Sequence, residues 1–531
     1  MKSFFFYLLC VLFFPYTCFA QSNLFVLEKT QLRETVPAYT APSKPEKSIL
    51  DKIETISHKY PMHTGWLYSY KELAKQLPTL SQWAQTVQNK FENCIVVGMG
   101  GSSLSVSTLS SLYGKIPGKP KLIVLDTSHP DTIWEIEKKI NLKKTIFIVS
   151  SKSGTTVETM YSFEYFWNKI SRLTPNPEKH FIAITDEGSP LAEQAKQQNF
   201  EALFLNPKDI GGRFSALSYF GMIPALIAGY DVEGILREAS LYSLYLSKNE
   251  EELSSLINEL TPAKGSSSKR VFIVLDKELR GFGLWIEQLL SESLGKNGKG
   301  VIPLVETSES ALLHTPEDAV IYISKKPKKG KKDLFLSFQK NSNIGKFFLL
   351  WEMATTCVGE KMEINPFNQP DVDLSKKRAK ELLTQGMPLP TDFLFSQFIE
   401  RESQETLKVT FEKNAHKAKY IALLLYTSPT KEDLKTIEKW KEKINLPLIV
   451  TIGPRYLHSL GQLYKGGENN GFFIIITHVK KDISFEEKSF RVLLLSQALG
   501  DFQAMNEKGR RAIFVNIHPD QKLSSFIKNL M

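Results

Sequence analysis

Cysteine is scarce in this chain, with four residues in 531, and two of them, Cys10 and Cys18, fall in an apolar N-terminal stretch. The other two, Cys94 and Cys357, stand alone, which excludes a disulfide framework and a cysteine metal site and suits a reducing compartment. Long apolar runs are missing after residue 20, so no stable membrane span is expected. Charge of one sign does not dominate either: 67 basic against 57 acidic residues leave a net charge of +10. Part of that excess is the cluster "KKPKKGKKD" at 325–333. No aromatic or groove-reading motif accompanies it, so it reads as a solvated loop and no nucleic-acid partner is expected. A mildly basic surface still favours small anionic substrates.

What is present begins with "MKSFFFYLLCVLFFPYTCFA", one Lys ahead of an apolar stretch that closes on Ala20, the pattern of a cleaved secretory signal peptide. The rest of the chain is long enough for two or three domains. Residues 21–90 read as an extended lead-in followed, from 51, by amphipathic helices packed outside the first domain. From 90 to 240, the runs "CIVVGMG", "KLIVLD", "TIFIVSS" and "HFIAITDE" are each separated by a helix-length stretch, the rhythm of a parallel sheet wrapped on both faces. The rhythm restarts over 265–390 with "RVFIVLDKE", "VIPLVE", "AVIYIS" and "KMEINPF". It returns over 415–531 with "YIALLLYT", "PLIVTIGP", "GFFIIITH" and "AIFVNIH". The fold class is therefore α/β, with doubly wound parallel sheets, whose ligands gather beyond the carboxyl ends of strands.

Several motifs sit at such ends. "SSKSGTTVET", 150–159, carries six hydroxyl side chains in ten positions. Thr155 and Glu158 have capping-box spacing, which accounts for two residues of the ten. The remainder, with Lys152 and the free N–H groups of a helix start, suits a phosphate. In "IVVGMGGSSLS", Gly98, Gly100 and Gly101 let a ligand approach the backbone and Ser102 opens a helix. A dinucleotide site is the rival, with Asp126 as the ribose-binding acid, but Ser103 stands where the third glycine belongs.

"DIGGRFSALSYFG", 209–221, places Arg213 at the start of an apolar helix, where the dipole opposes it and an anionic partner is called for. In "GLWIEQLLSESLGK", 283–296, Gln288 and Glu292 lie four apart on one helix face. They form either a solvated stripe or, facing a cleft, a general base with its neighbour. "EINPFNQPDVDLSKK" carries Gln369 and Lys376, read either as turn chemistry plus a surface lysine or as part of a site. "IGPRYLHSLGQLYKGG", 452–467, places His458 and Gln462 four apart beyond a strand. The other histidine considered, His314, lies in the loop "ALLHTPED".

Together, "GMGGSSL", "SSKSGTTVET", "GGRFSALS", "EQLLSESLGK" and "NPFNQPDVDLSK" resemble the glucose-6-phosphate isomerase (phosphoglucose isomerase) family, in its order and with its spacing within blocks, from about residue 50 to 385. The tail resembles the C-terminal part of fused transaldolase–isomerase proteins. The resemblance implies tandem sugar-isomerase (SIS) domains, a homodimer, a cytoplasmic location with export as the alternative, and no cofactor or metal. It implies interconversion of glucose 6-phosphate and fructose 6-phosphate through a cis-enediol. Gly101, Ser102, Ser151, Lys152, Ser153 and Thr156 would then surround the phosphate. Arg213 would stabilise the enediolate, Glu292 would move the proton, and Gln288 and Gln369 would hold the sugar. Lys376 would assist ring opening with a histidine, His458 by the likeness of its helix or His314 by its position in the order. Asp371 and Asp373 depart from the family's Gly and Glu. A non-catalytic phosphosugar sensor, an isomerase of another phosphosugar and an NAD-dependent oxidoreductase are the rivals.

Overall fold

The computed structural model describes residues 48–309, 313–326, 333–384, 411 and 414–530. The apolar N-terminal stretch and the lead-in to residue 47 lie outside the described residues, as do residues 327–332 of the basic cluster.

Among the described residues three parallel sheets carry the chain, and each repeats one winding. The first has the order β2-β1-β3-β4-β5, from β1 Asn93–Gly98, β2 Lys121–Leu125, β3 Thr145–Ser150, β4 Phe181–Asp186 and β5 Ala202–Asn206. The second, β7-β6-β8-β9, uses β6 Ser268–Leu275, β7 Gly300–Glu306, β8 Ala319–Ser324 and β9 Leu334–Ser337. The third, β11-β10-β12-β15, uses β10 Tyr420–Tyr426, β11 Leu448–Ile452, β12 Gly471–Thr477 and β15 Arg511–Asn516, with a small antiparallel hairpin of β13 Ser484–Phe485 and β14 Lys488–Ser489. In each sheet the chain leaves its first strand toward one side and then returns to pair on the other, so each has a switch point where a crevice opens.

Alternation along the strands stacks these sheets. Val271, Ile273 and Leu275 of β6 share one core with Cys94 and Val96 of β1. Phe272 and Val274, pointing the other way, share a second core with Tyr420, Ala422, Leu424 and Tyr426 of β10. Ile421, Leu423 and Leu425 face a third. A strand buried on both faces has no polar side to show, which is why these runs read as nearly continuous Val, Ile and Leu. A one-residue slip in such a strand would exchange the side chains packed on its two faces and mismatch both close-packed cores.

Two expectations change. "KMEINPF" forms no strand: helix Ile344–Lys361 runs into it, and Glu363 ends the turn with φ +57°. The fourth strand is instead "LFLS", short and next to the basic cluster, so its apolar signal is diluted. The early helices Ile49–Lys59 and Trp66–Gln88 are also less peripheral than expected, because Trp66, Tyr70 and Trp83 enter the core shared by the first two sheets. Among the described residues no helix is long and apolar enough to cross a membrane.

Candidate functional site

β1 and β3 are neighbours in register, Gly98 beside Ser150, and their loops leave the switch point together. A Cβ on Gly98 would lie 2.7 Å from the Ser150 carbonyl oxygen, and Ser150 Oγ donates to the Ser102 carbonyl at 3.0 Å. A Cβ on Gly101 would meet the Gly212 carbonyl at 2.0 Å. That approach, which only glycine permits, seats the turn Gly212–Phe214 carrying Arg213 against the first loop.

In the second loop, hydroxyls pair among themselves: Ser151 with Thr156 at 3.0 Å, and Ser153 with Thr155 at 2.9 Å. The following helix, Val157–Ser171, begins at Thr156, not Thr155, and Thr156 makes no side-chain cap bond, so the expected capping box is absent. No hydroxyl therefore caps its N-terminal N–H groups, and apart from that of Glu158, which serves its own carboxylate, they can meet an anion. The Lys152 ammonium is turned elsewhere, 2.5 Å from Asp186 Oδ2 and 3.2 Å from the Lys208 carbonyl.

Helix Arg280–Leu294 follows the first strand of the second sheet and is buried on nearly all sides, Gln288 and Glu292 included. The solvated-stripe reading is thereby overturned: a helix enclosed all round is a core element, and its carboxylate needs a partner. Arg213 Nη1 lies 3.5 Å from Glu292 Oε2, and Gln288 Nε2 donates to the same oxygen at 3.3 Å. Burial pushes the Glu292 carboxyl above its ordinary range, with Arg213 first among the charges opposing it and His458 and Lys376 behind. Arg213 is not at a helix start, since the next helix, Tyr219–Ile227, begins later behind Ser218. The dipole argument falls, and five contacts define the guanidinium instead. Beside Glu292 it reaches Ser293 Oγ at 2.8 Å, Gln369 Oε1 at 2.5 Å, and the carbonyls of Pro366 and Asn368 at 2.6 and 3.1 Å.

The third sheet supplies His458, in the turn Arg455–His458 beyond β11. Its carbonyl accepts from Gln288 Nε2 at 2.8 Å, and its Nε2 lies 2.8 Å from Glu158 Oε1. Gly100, at φ +55°, packs beneath this turn: a Cβ there would lie 2.6 Å from the His458 carbonyl oxygen. Loops of all three sheets thus meet at one place, where the buried Gln288 Oε1 has no partner among the described residues.

The family model described as phosphoglucose isomerase matches residues 61–314. The probable glucose-6-phosphate isomerase of Methanococcus maripaludis is 30% identical over 350 residues, 55% of this chain and 79% of that protein. The chain belongs to the phosphoglucose isomerase family. A second member, the glucose-6-phosphate isomerase of Mycoplasmopsis synoviae, is 25% identical over 66% of this chain and 97% of its own length. A solved structure, described as a hypothetical protein from Thermus thermophilus, matches with TM-score 0.55 at 21% identity, over 63% of this chain and 94% of that one, and supports the fold. The phosphoglucose isomerase match reaches Ser102, Ser151, Arg213, Gln288 and Glu292 and stops before Gln369, Lys376 and His458.

Beyond that match the candidates divide. His314 is exposed, its ring 6.2 Å from that of Phe272, and Glu292 feels the charge of His458 instead. Gln369 is held by Arg213, as above. Lys376 is exposed and 3.4 Å from the equally exposed Asp373, so the structure does not bring its ammonium onto His458. Asp371 has a clear occupation: its N–H donates to Gln462 Oε1 at 2.8 Å, and its carboxylate takes Gln462 Nε2 and Lys508 Nζ at 2.7 Å each. The departure from the family's glycine thus ties this loop to the third unit.

Three residues escaped the sequence reading in these roles. Glu158 was read only as a cap. It is buried, and although burial alone would raise its pKa, the charge and hydrogen bond of His458, with donors from its own backbone and Gln497, hold the carboxyl below its ordinary range. Lys296, next to the "ESLG" turn, sends its Nζ to the Asn365 carbonyl at 2.8 Å and the Asn368 carbonyl at 2.5 Å. Burial, then Arg213, pulls its amine down to about 6. Gln497 lies on helix Phe490–Glu507. Only Gln497, a polar residue in the apolar helical text "RVLLLSQALG", carried a signal of its own; Glu158 at a helix start and Lys296 just past a helix end have commonplace sequence readings.

Proposed function

We propose that the chain interconverts glucose 6-phosphate and fructose 6-phosphate. The observation that carries this is the meeting of two buried carboxylates of opposite tendency, Glu292 against Arg213 and Glu158 against His458, beside a hydroxyl-lined helix start. The phosphate sits on the loop 150–156, held by Ser151, Ser153 and Thr156 with the N–H of Lys152, and by Gly101 and Ser102. His458, paired with Glu158, delivers a proton to the ring oxygen as the C1–O5 bond breaks, and the imidazole so left neutral takes up the proton of the anomeric hydroxyl, restoring its starting state; Lys376 supplies positive potential at the rim. Glu292 then takes the proton from C2 and returns it to C1, while the hydroxyl proton passes from O2 to O1. Arg213 faces the developing enediolate charge. Gln288, with its unpartnered Oε1, and Gln369 hold the sugar hydroxyls.

The dinucleotide rival is poorly served. Asp126 lies 3.5 Å from Arg455 in the histidine turn, and Gly100 is covered by the His458 carbonyl and Gln288. A sensor has no use for Glu292 buried against a guanidinium. The C-terminal unit, whose sequence is similar to the tail of fused transaldolase–isomerase proteins, completes the site with His458 on this reading. A homodimer working in the cytoplasm, where the substrates are formed, belongs to the same reading; sedimentation of the purified chain tests the first and N-terminal sequencing of the native protein the second. The decisive experiment is turnover by the full chain of fructose 6-phosphate against a panel of other phosphosugars. Preference for another sugar, or binding without turnover, refutes the proposal.

A further inference from the structure

Behind His458 lies a polar line that the isomerase reading does not use. Glu158 Oε1 accepts not only from His458 but also from Gln497 Nε2, at 2.6 Å. Gln497 Oε1 in turn accepts from Ser128 Oγ at 2.9 Å. Ser128 follows β2 and is fully buried, and Gln497 is 3% exposed. Because a carboxylate can only accept, the amide nitrogen must face Glu158 and the amide oxygen must face the serine hydroxyl. Every group in the line Ser128–Gln497–Glu158–His458 therefore has one allowed orientation. A buried amide with either end unpaired is destabilising, whereas an apolar side chain at the same position would carry no such penalty.

The helix bearing Gln497 is itself anchored one turn on. The Asp501 carboxylate takes Lys465 Nζ and Ser375 Oγ at 2.7 Å each and Tyr456 Oη at 2.5 Å, all buried. Tyr456 belongs to the turn that carries His458. Helix Phe490–Glu507 thus grips the histidine turn at Asp501 and the glutamate at Gln497, and the relative position of His458 and Glu158 follows from both.

We propose that Gln497 is a positioning residue of the reaction: its side-chain amide, supplied by the third unit, aims the Glu158 carboxylate at His458 for ring opening. This rests on the isomerase reading above. The titratable groups whose charge bears on Glu158 are His458 and Tyr426. Tyr426 stays neutral, pushed far up by burial, and the nearby Asp501 is committed to Lys465.

The test compares fructose 6-phosphate, which is mostly cyclic, with 5-deoxyfructose 6-phosphate, which lacks the hydroxyl needed to close the ring. In the full chain, Gln497→Leu should lower kcat on the cyclic substrate roughly 10–100-fold and change open-chain turnover less than about threefold. Ser128→Ala, a milder change, should move the same ratio by about fivefold. Gln497→Glu should lose most activity at high pH, where the new carboxylate repels Glu158, and recover as pH falls and the acid becomes a donor. Equal loss on both substrates, or full cyclic turnover by Gln497→Leu, overturns the proposal; if that variant fails to fold, Ser128→Ala and the Gln497→Glu pH profile decide in its place. Wild-type inactivity on both substrates overturns the isomerase reading and the proposal with it.

Discussion

Glu158 and Glu292 are both buried, both face the same site, and shift in opposite directions. Glu292 lies in the last turn of an apolar helix with Arg213 at 3.5 Å, and burial prevails. Glu158 lies in the first turn of its helix, within 2.8 Å of His458 and 2.6 Å of Gln497, and its donors prevail. Burial alone therefore does not set what a carboxylate can do; the number and distance of donors aimed at it does. On the isomerase reading proposed above, Glu292 accepts and releases a proton and Glu158 remains an anion that orients the His458 imidazole. Pairs pushed apart in this way mark the division of labour in an acid–base site.

The comparison breaks most visibly at Glu292. Glu292→Gln should lower turnover by about 10³-fold on cyclic and open-chain substrates alike, while binding of a phosphate-bearing competitor, followed calorimetrically, stays close to wild type. Unchanged turnover would remove Glu292 from the mechanism. Arg213→Gln should cost about 10²–10³-fold in kcat and also displace the pH profile. The guanidinium favours the carboxylate form, so its loss raises the Glu292 pKa further and moves the acid limb of kcat/KM to higher pH. A limb that stays in place, or moves down, contradicts the pairing.

Glu158→Gln sharpens the contrast, since its effect should be selective. Turnover of fructose 6-phosphate falls by about 10²-fold, while the open-chain analogue is largely spared; a parallel loss on both would make Glu158 a general support.

The smallest effect concerns a third carboxylate. Glu352, in helix Ile344–Lys361, is 1% exposed, and neither oxygen has a partner among the described residues. Burial alone pushes its pKa well above the ordinary carboxyl range. A raised folded-state pKa means that folding favours the protonated acid: the contribution is full below the unfolded value near 4.5 and declines as pH rises above it. Glu352→Gln should therefore raise Tm by about 2–4 °C at pH 9 and lose that advantage at pH 4. A Tm difference independent of pH would mean that the carboxyl has a partner.

Much of the fold was legible because it depends on local order. The apolar runs of β1, β3, β6, β10 and β12 stand out because strands covered on both faces carry little polar text. β9 is hard to see because four residues beside a lysine cluster carry too little signal, and "KMEINPF" resembles a strand because a buried helix and a buried strand are equally apolar over a short window. The loops at 98–102 and 150–156 announced themselves by glycine and hydroxyl content. Glu158 did not, since its position in a helix's first turn has a commonplace explanation that does not require a histidine.

By itself the sequence determined the three α/β rhythms and the chemistry of the strand-end loops, because side-chain alternation and turn residues act over a few positions. Its motifs also supplied a carboxylate, an arginine and a hydroxyl-rich loop, without deciding that they would meet. Only the tertiary structure decided that Glu158 would meet a histidine 300 residues away, and that Lys152 and Lys376 would turn to Asp186 and Asp373. Charge states in a site depend on distance, burial and competing donors, and these exist only once separate sheets have packed together.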